Sequence, residues 1–146
     1  MKVSVGRPTG EAATLFFGVI EAGNALMSRL ESVLATVGLS RAKMEVLGQL
    51  VGAGEPLPLR VLADRQRCVP SNMTTLMDRM ETEGLVRRID DPNDRRTVRA
   101  ELTPLGYERA AAGSEAVARL LEEFAASLSP GDRTALRQVL PVLRPK

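Results

Sequence analysis

Apolar residues recur at three- and four-residue steps from Leu15 onward, through Phe16, Val19, Ile20, Leu26, Met27, Leu30 and Leu34. That spacing predicts a long amphipathic helix, preceded by an irregular arm containing Gly6, Pro8 and Gly10. Val37-Gly38-Leu39-Ser40 ends this helix and opens a second, with Ser40 as the N-cap and Met44, Val46, Leu47, Leu50 and Val51 turned mostly inward. Gly52, Gly54 and Pro56 stop it. Residues 57–65 predict a short helix with Pro58 in its first turn and Leu59, Leu62 and Ala63 inward, and after the turn 66–69 Pro70 opens another helix. Two short helices across a tight turn make a helix-turn-helix. In its second helix Met73, Leu76, Met77 and Met80 share one face, which leaves Ser71, Asn72, Thr74, Thr75, Asp78 and Arg79 on the other.

Past Gly84, placed to end that helix at its C′ position, the apolar period shortens to about 2 across residues 85–89 and again across 97–102. This predicts a β-hairpin whose turn is Asp90-Asp91-Pro92-Asn93-Asp94-Arg95, a run of residues that bond to their own backbone. Thr103-Pro104 caps a further long helix with Val117, Leu120, Leu121 and Phe124 on one face, and Ser129-Pro130 repeats the device for a last helix carrying Leu136, Val139, Leu140 and Leu143. Pro141 is expected to loosen its final turn. The pattern as a whole is mostly α with a small β-hairpin wing, a winged helix-turn-helix.

Composition narrows the chemistry. The chain has 146 residues, room for a single domain, and 44% are hydrophobic but only 3% aromatic, so the core must be aliphatic and lined with Met. With no His and one Cys, the commonest general base, His-based triads and His-containing or four-Cys zinc sites are excluded. The expectation is a protein without enzymatic activity, cofactor or metal. A net charge of +2 means that any electrostatic footprint is local. Lys2 and Arg7 are followed by no signal-peptide core, since Glu11 and Glu21 bracket the apolar stretch, and no run reaches membrane-spanning length. Together with the lone Cys68, this predicts a cytoplasmic protein.

The exposed face of the second short helix is the most informative surface. Ser71, Asn72, Thr74 and Thr75 donate and accept hydrogen bonds without bulk, as a helix in the major groove must, and Arg79 lies further along the same face. Arg87, Arg88, Arg95, Arg96 and Arg99 crowd the hairpin, where a ribbon can follow a phosphate backbone; Asp90, Asp91 and Asp94 offset part of that charge. Asp94, two residues before Arg96, is expected to orient its guanidinium towards a narrow minor groove.

The run from Asp91-Pro92-Asn93-Asp94-Arg95-Arg96 through Glu101-Leu102-Thr103-Pro104-Leu105-Gly106 resembles the wing and following helix of the MarR family. Leu62-Ala63, Ser71-Asn72-Met73-Thr74, Asp78-Arg79-Met80-Glu81 and Glu83-Gly84-Leu85-Val86 resemble its helix-turn-helix, and the likeness covers nearly the whole chain. Pro70 departs from the family's usual capping residue, harmlessly for a first helical turn. The resemblance implies a single domain over 1–146, with residues 40–103 as the DNA-binding lobe and residues 11–36 and 104–144 as dimerisation helices. Leu15, Val19, Leu121, Phe124, Leu136 and Leu140 are the expected homodimer contacts. It further implies double-stranded DNA as partner, through Ser71, Asn72, Thr74, Thr75, Arg79, Arg95, Arg96 and Arg99, with Arg96 in a minor groove. The expected function is a sequence-specific transcriptional regulator, a repressor released by a small ligand or by oxidation.

Other readings stand beside this one. Cys68, in the turn before the recognition helix, reads first as a small buried filler and second as a redox sensor that Arg65 and Arg67 would activate. Arg29, Arg41 and Lys43 are conceivable contacts for an anionic inducer, although surface cations usually face water. The Met residues at helical spacing are core, and the hairpin carboxylates are turn formers rather than metal ligands. A winged-helix protein-interaction module without DNA binding is the alternative function. It would call for an apolar outward patch on the recognition helix.

Overall fold

A computed structural model describes residues 6 and 8–145; Lys2 and Arg7 of the N-terminal arm lie outside them. Its elements are α1 (Glu11–Ala35), α2 (Arg41–Ala53), β1 (Leu57–Pro58), α3 (Leu59–Gln66), α4 (Pro70–Thr82), β2 (Val86–Asp91), β3 (Asp94–Leu102), α5 (Pro104–Ala126) and α6 (Pro130–Leu143). The strands form one antiparallel sheet in the order β1-β3-β2.

The helix starts follow from their caps. Ser40 Oγ accepts from the Lys43 N–H at 3.2 Å, Thr103 Oγ1 from the Gly106 N–H at 3.0 Å, and Ser129 and Asp132 form a reciprocal capping box. Gly54 and Gly84 end α2 and α4 in left-handed backbone, with φ of 66° and 75°. Leu34, Val46, Leu47, Leu62, Met73, Met77, Met80, Leu85 and Val86 are fully enclosed where α2, α3, α4 and the sheet meet the end of α1. This aliphatic and Met-lined core is the one the low aromatic content requires.

Four local expectations are corrected. Leu57 and Pro58 are a short strand paired with Ala100 and Arg99 rather than the first turn of a helix, and Pro58 becomes the N-cap of α3. The hairpin turn is Pro92-Asn93 rather than the six residues 90–95, because Asp90 pairs with Val98 and Asp91 with Asp94, and the register shift between these pairs leaves Arg95, Arg96 and Thr97 of β3 without a cross-strand partner. Val51 is exposed on α2. Pro141 does not interrupt the last helix, since it lies inside α6, which runs on to Leu143.

Most of α1 and all of α6 stay outside the core. Phe16 is 64% exposed, and Leu15, Val19, Ile20, Leu136, Val139, Leu140 and Leu143 are exposed with it. Within the chain α1 packs on α5 and α2, whereas α6 makes no extensive contact with any other element. Among the described residues no helix is long and apolar enough to cross a membrane.

The junction between the sheet and α5 is tight. Thr103 Oγ1 donates to the Gly84 carbonyl at 2.5 Å, the Thr103 N–H donates to the Leu85 carbonyl, and a Cβ on Gly106 would lie 2.1 Å from that same carbonyl oxygen. Alanine is ordinarily the better helix former by about 0.5–1 kcal/mol. Here the backbone oxygen cannot yield, so Gly106→Ala is expected to destabilise the fold by about 2 kcal/mol. Urea unfolding measures this, and an unchanged or raised midpoint would contradict the close approach.

Candidate nucleic-acid interface

The buried stripe Met73, Met77 and Met80 fixes which way α4 faces, and Ser71, Asn72, Thr74, Thr75, Asp78 and Arg79 are all exposed on the other side. Beside it the β2–β3 hairpin projects with Arg95 and Arg96 exposed, and neither forms an ion pair among the described residues. A polar helix face flanked by a ribbon carrying outward guanidinium groups can enter a groove while holding the phosphates at its edge.

The other hairpin arginines are used within the lobe. Arg88 Nη2 donates to Asp78 Oδ1 at 2.6 Å and to the Thr74 carbonyl at 3.3 Å, and Nη1 donates to Glu81 Oε1 at 3.1 Å. The Arg88 backbone N–H also donates to Glu81 Oε2 at 2.7 Å. One residue thus joins β2 to three positions along α4 and so fixes the angle between wing and recognition helix. Arg87 pairs with Glu101 across the strands.

Arg99, expected at the DNA, is turned the other way. Its Nε lies 2.6 Å from Asp91 Oδ2 and its Nη1 donates to the Pro56 carbonyl at 3.3 Å, so it ties β3 to the segment entering β1. Asp91 is only 8% exposed, and the Asn93 N–H together with the Arg99 guanidinium holds its carboxyl below the usual carboxylate range. Asp94 does not grip the Arg96 guanidinium. Its Oδ1 accepts from the Arg96 backbone N–H at 3.0 Å and its Oδ2 from the Thr97 hydroxyl at 2.8 Å, so it shapes the turn that presents Arg96, and these bonds lower its pKa.

A depressed folded-state pKa contributes stability that is complete above the ordinary carboxylate value and is lost as pH falls through the folded value. Wild type is therefore expected to exceed Asp91→Asn in stability at about pH 7, with the gap closing towards about pH 3. Urea midpoints at the two pH values test this. A gap independent of pH would show that the charge of Asp91 is not what matters.

Two apolar grooves flank α1. One of about 290 Å³ is lined by Leu26, Met27, Arg29, Leu120, Leu121 and Phe124, and one of about 610 Å³ by Met27, Leu30, Leu34, Arg41, Met44 and Val117. Arg29 and Arg41 thus border grooves, whereas Lys43 is 2.7 Å from Glu83 and joins α2 to the end of α4. Cys68 is half-buried against the core edge. Of the expected dimer contacts, Leu15, Val19, Leu121, Leu136 and Leu140 are exposed, and Phe124 is half-buried against the smaller groove.

Sequence reasoning missed the clamping role of Arg88, for which the matching carboxylates Asp78 and Glu81 at helical spacing were the available signal. It also missed Val69, which caps α4 at 56% exposed.

Architecture and surface define a winged helix-turn-helix protein. The MarR family model matches residues 39–98, the helix-turn-helix and most of the wing. The chain is 28% identical over 110 residues, 75% of its length, to the uncharacterised HTH-type transcriptional regulator YdgJ of Bacillus subtilis. That stretch spans 66% of YdgJ, just under two thirds of its length. Among solved structures it is similar to AbsC, a MarR family transcriptional regulator from Streptomyces coelicolor, at 28% identity and a TM-score of 0.75, covering 94% of this chain and 95% of that one. It shares its fold with a mutant MarR from E. coli complexed with operator DNA, at 22% identity and a TM-score of 0.75, covering 90% and 94%. Over residues 39–98 the chain is thus similar to the MarR family.

Proposed function

We propose that this protein is a sequence-specific transcriptional regulator that binds double-stranded DNA as a homodimer and has no catalytic activity of its own. The observation that carries the reading is the exposed polar face of α4 set beside a hairpin that presents Arg95 and Arg96 outward. The operator complex of an E. coli protein of the same fold supports it. Asn72, Ser71, Thr74, Thr75 and Arg79 address base edges and Arg95 and Arg96 the backbone or minor groove, while Asp94 shapes the turn.

The division of labour assigned here is residues 40–103 for DNA and residues 11–36 and 104–144 for pairing. The exposed apolar residues of α1, α5 and α6 form the pairing surface, since so large an uncovered patch is uncommon on a monomer. A two-fold dimer then reads a pseudo-palindrome with half-sites about 10 bp apart. Occupying a promoter represses it. An inducer in the 610 Å³ groove releases the DNA by favouring a dimer with misplaced recognition helices. Oxidation of Cys68 is a second trigger, and the site of action is the cytoplasm.

The test is fluorescence anisotropy against a labelled duplex from the gene's own upstream region and a scrambled control, at several salt concentrations. The expected result is a preference of about 10³-fold or more with steep salt dependence. Equal binding, or none, after ligand removal and reduction would overturn the reading. Arg96→Ala is expected to weaken binding to both duplexes and to lower the salt slope by about 1. A loss confined to the specific duplex would instead make Arg96 a base-reading residue.

A further inference from the structure

The outward face of α4 is less of a hydrogen-bond donor than its sequence promises. Thr74 Oγ1 donates to the Pro70 carbonyl at 3.1 Å, and Thr75 Oγ1 donates to the Ser71 carbonyl at 3.1 Å. A hydroxyl has one hydrogen, so neither threonine has one left for a base; each offers a lone pair and a γ-methyl directed away from its bonded carbonyl. Just ahead, Val69 and Pro70 are exposed, and Pro70 has no N–H. Pro70 and Thr74 lie one helical turn apart, on the same flank. The leading end of the recognition helix is therefore an apolar edge, while Ser71, Asn72 and the more distant Arg79 retain the donors.

Thymine is the base whose major-groove edge carries a methyl group, and apolar contact with that methyl is how small side chains identify it. We infer that Val69, Pro70 and the γ-methyls of Thr74 and Thr75 read thymine C5-methyl groups, so that each operator half-site is specified largely by thymines. This inference rests on the DNA-binding reading above. It assigns specificity to Val69 and Pro70, and it recasts the two threonines as methyl contacts and acceptors.

Deoxyuridine differs from thymidine by that methyl alone, so the test needs no change to the protein. Duplexes with a randomised core are selected on the full chain, and the thymines of the enriched half-site are replaced by deoxyuridine one at a time. The expected result is a loss of about fourfold in anisotropy-measured affinity at two or more positions in each half-site. Thr75→Ser keeps the hydroxyl and its bond to Ser71, and Val69→Ser supplies a capping side chain, so both should fold. Each should bind the thymine duplex and one of the sensitive deoxyuridine duplexes alike. Full affinity for every deoxyuridine duplex would overturn the inference while leaving sequence-specific binding intact. Enrichment of no sequence at all would overturn both.

Discussion

Arg88→Met is expected to weaken binding to a specific duplex by about 10²-fold, equivalent to about 2.7 kcal/mol, while costing the fold only about 1–2 kcal/mol. Methionine keeps the aliphatic stem and removes the guanidinium that contacts Asp78, Glu81 and the Thr74 carbonyl. Two consequences follow at the DNA surface. Asp78 and Glu81, exposed on α4, become unpaired anions near the phosphates. The wing also loses the side-chain contacts that set its angle to the recognition helix, so the proposed contacts of Arg96 and Asn72 no longer reach the duplex together. Adding Asp78→Asn and Glu81→Gln to Arg88→Met separates the effects. Charge removal should restore non-specific binding, whereas the specific preference stays depressed because the angle is still unfixed. Anisotropy on matched and scrambled duplexes measures both, and a single Arg88→Met variant within threefold of wild type would contradict the clamp.

Leu140→Glu is expected to yield a folded monomer that has lost about 10³-fold in operator affinity. Because α6 makes no extensive contact with other elements of its own chain and Leu140 is exposed there, the new charge disturbs no core of the protomer. In the proposed dimer it would be buried in an apolar interface at a cost of several kcal/mol. Two half-sites bound by one dimer gain from effective concentration; two monomers do not. Sedimentation equilibrium should show a monomer with unchanged helical circular dichroism. A variant that stays dimeric at low concentration would remove α6 from the interface.

The sequence was most readable where one residue acts on its neighbours. Ser40, Thr103 and Ser129 start helices through bonds three residues away, and the Met73, Met77 and Met80 stripe orients α4 by spacing alone. Elements that depend on distant partners were not readable. Leu57-Pro58 is too short to show a period and becomes a strand because β3 lies alongside. The turn-forming character of Asp90 to Arg95 gave way to cross-strand pairing at Asp90, Asp91 and Asp94, leaving only Pro92-Asn93 as the turn and Arg95 in a bulge. The hairpin arginines carry no local mark of which carboxylate each will reach. Arg95 and Arg96 face outward, while Arg99 finds Asp91 and the Pro56 carbonyl, and Arg88 finds α4.

The backbone enters the proposed DNA-binding lobe, residues 40–103, through the Val37-Gly38-Leu39 segment and leaves it at Thr103. Arg109, on α5, donates from Nη1 to the Val37 carbonyl at 3.1 Å, and a Cβ on Gly38 would lie 2.4 Å from that nitrogen. α5 starts at one attachment and clasps the other within two turns. Both attachments are fastened to α5, and α2 packs along the same helix, with Ala110 sharing the core of the lobe, so α5 is the shaft against which residues 40–103 are set. In the proposed two-fold dimer, moving α5 would carry the lobe with it and reset the distance between recognition helices.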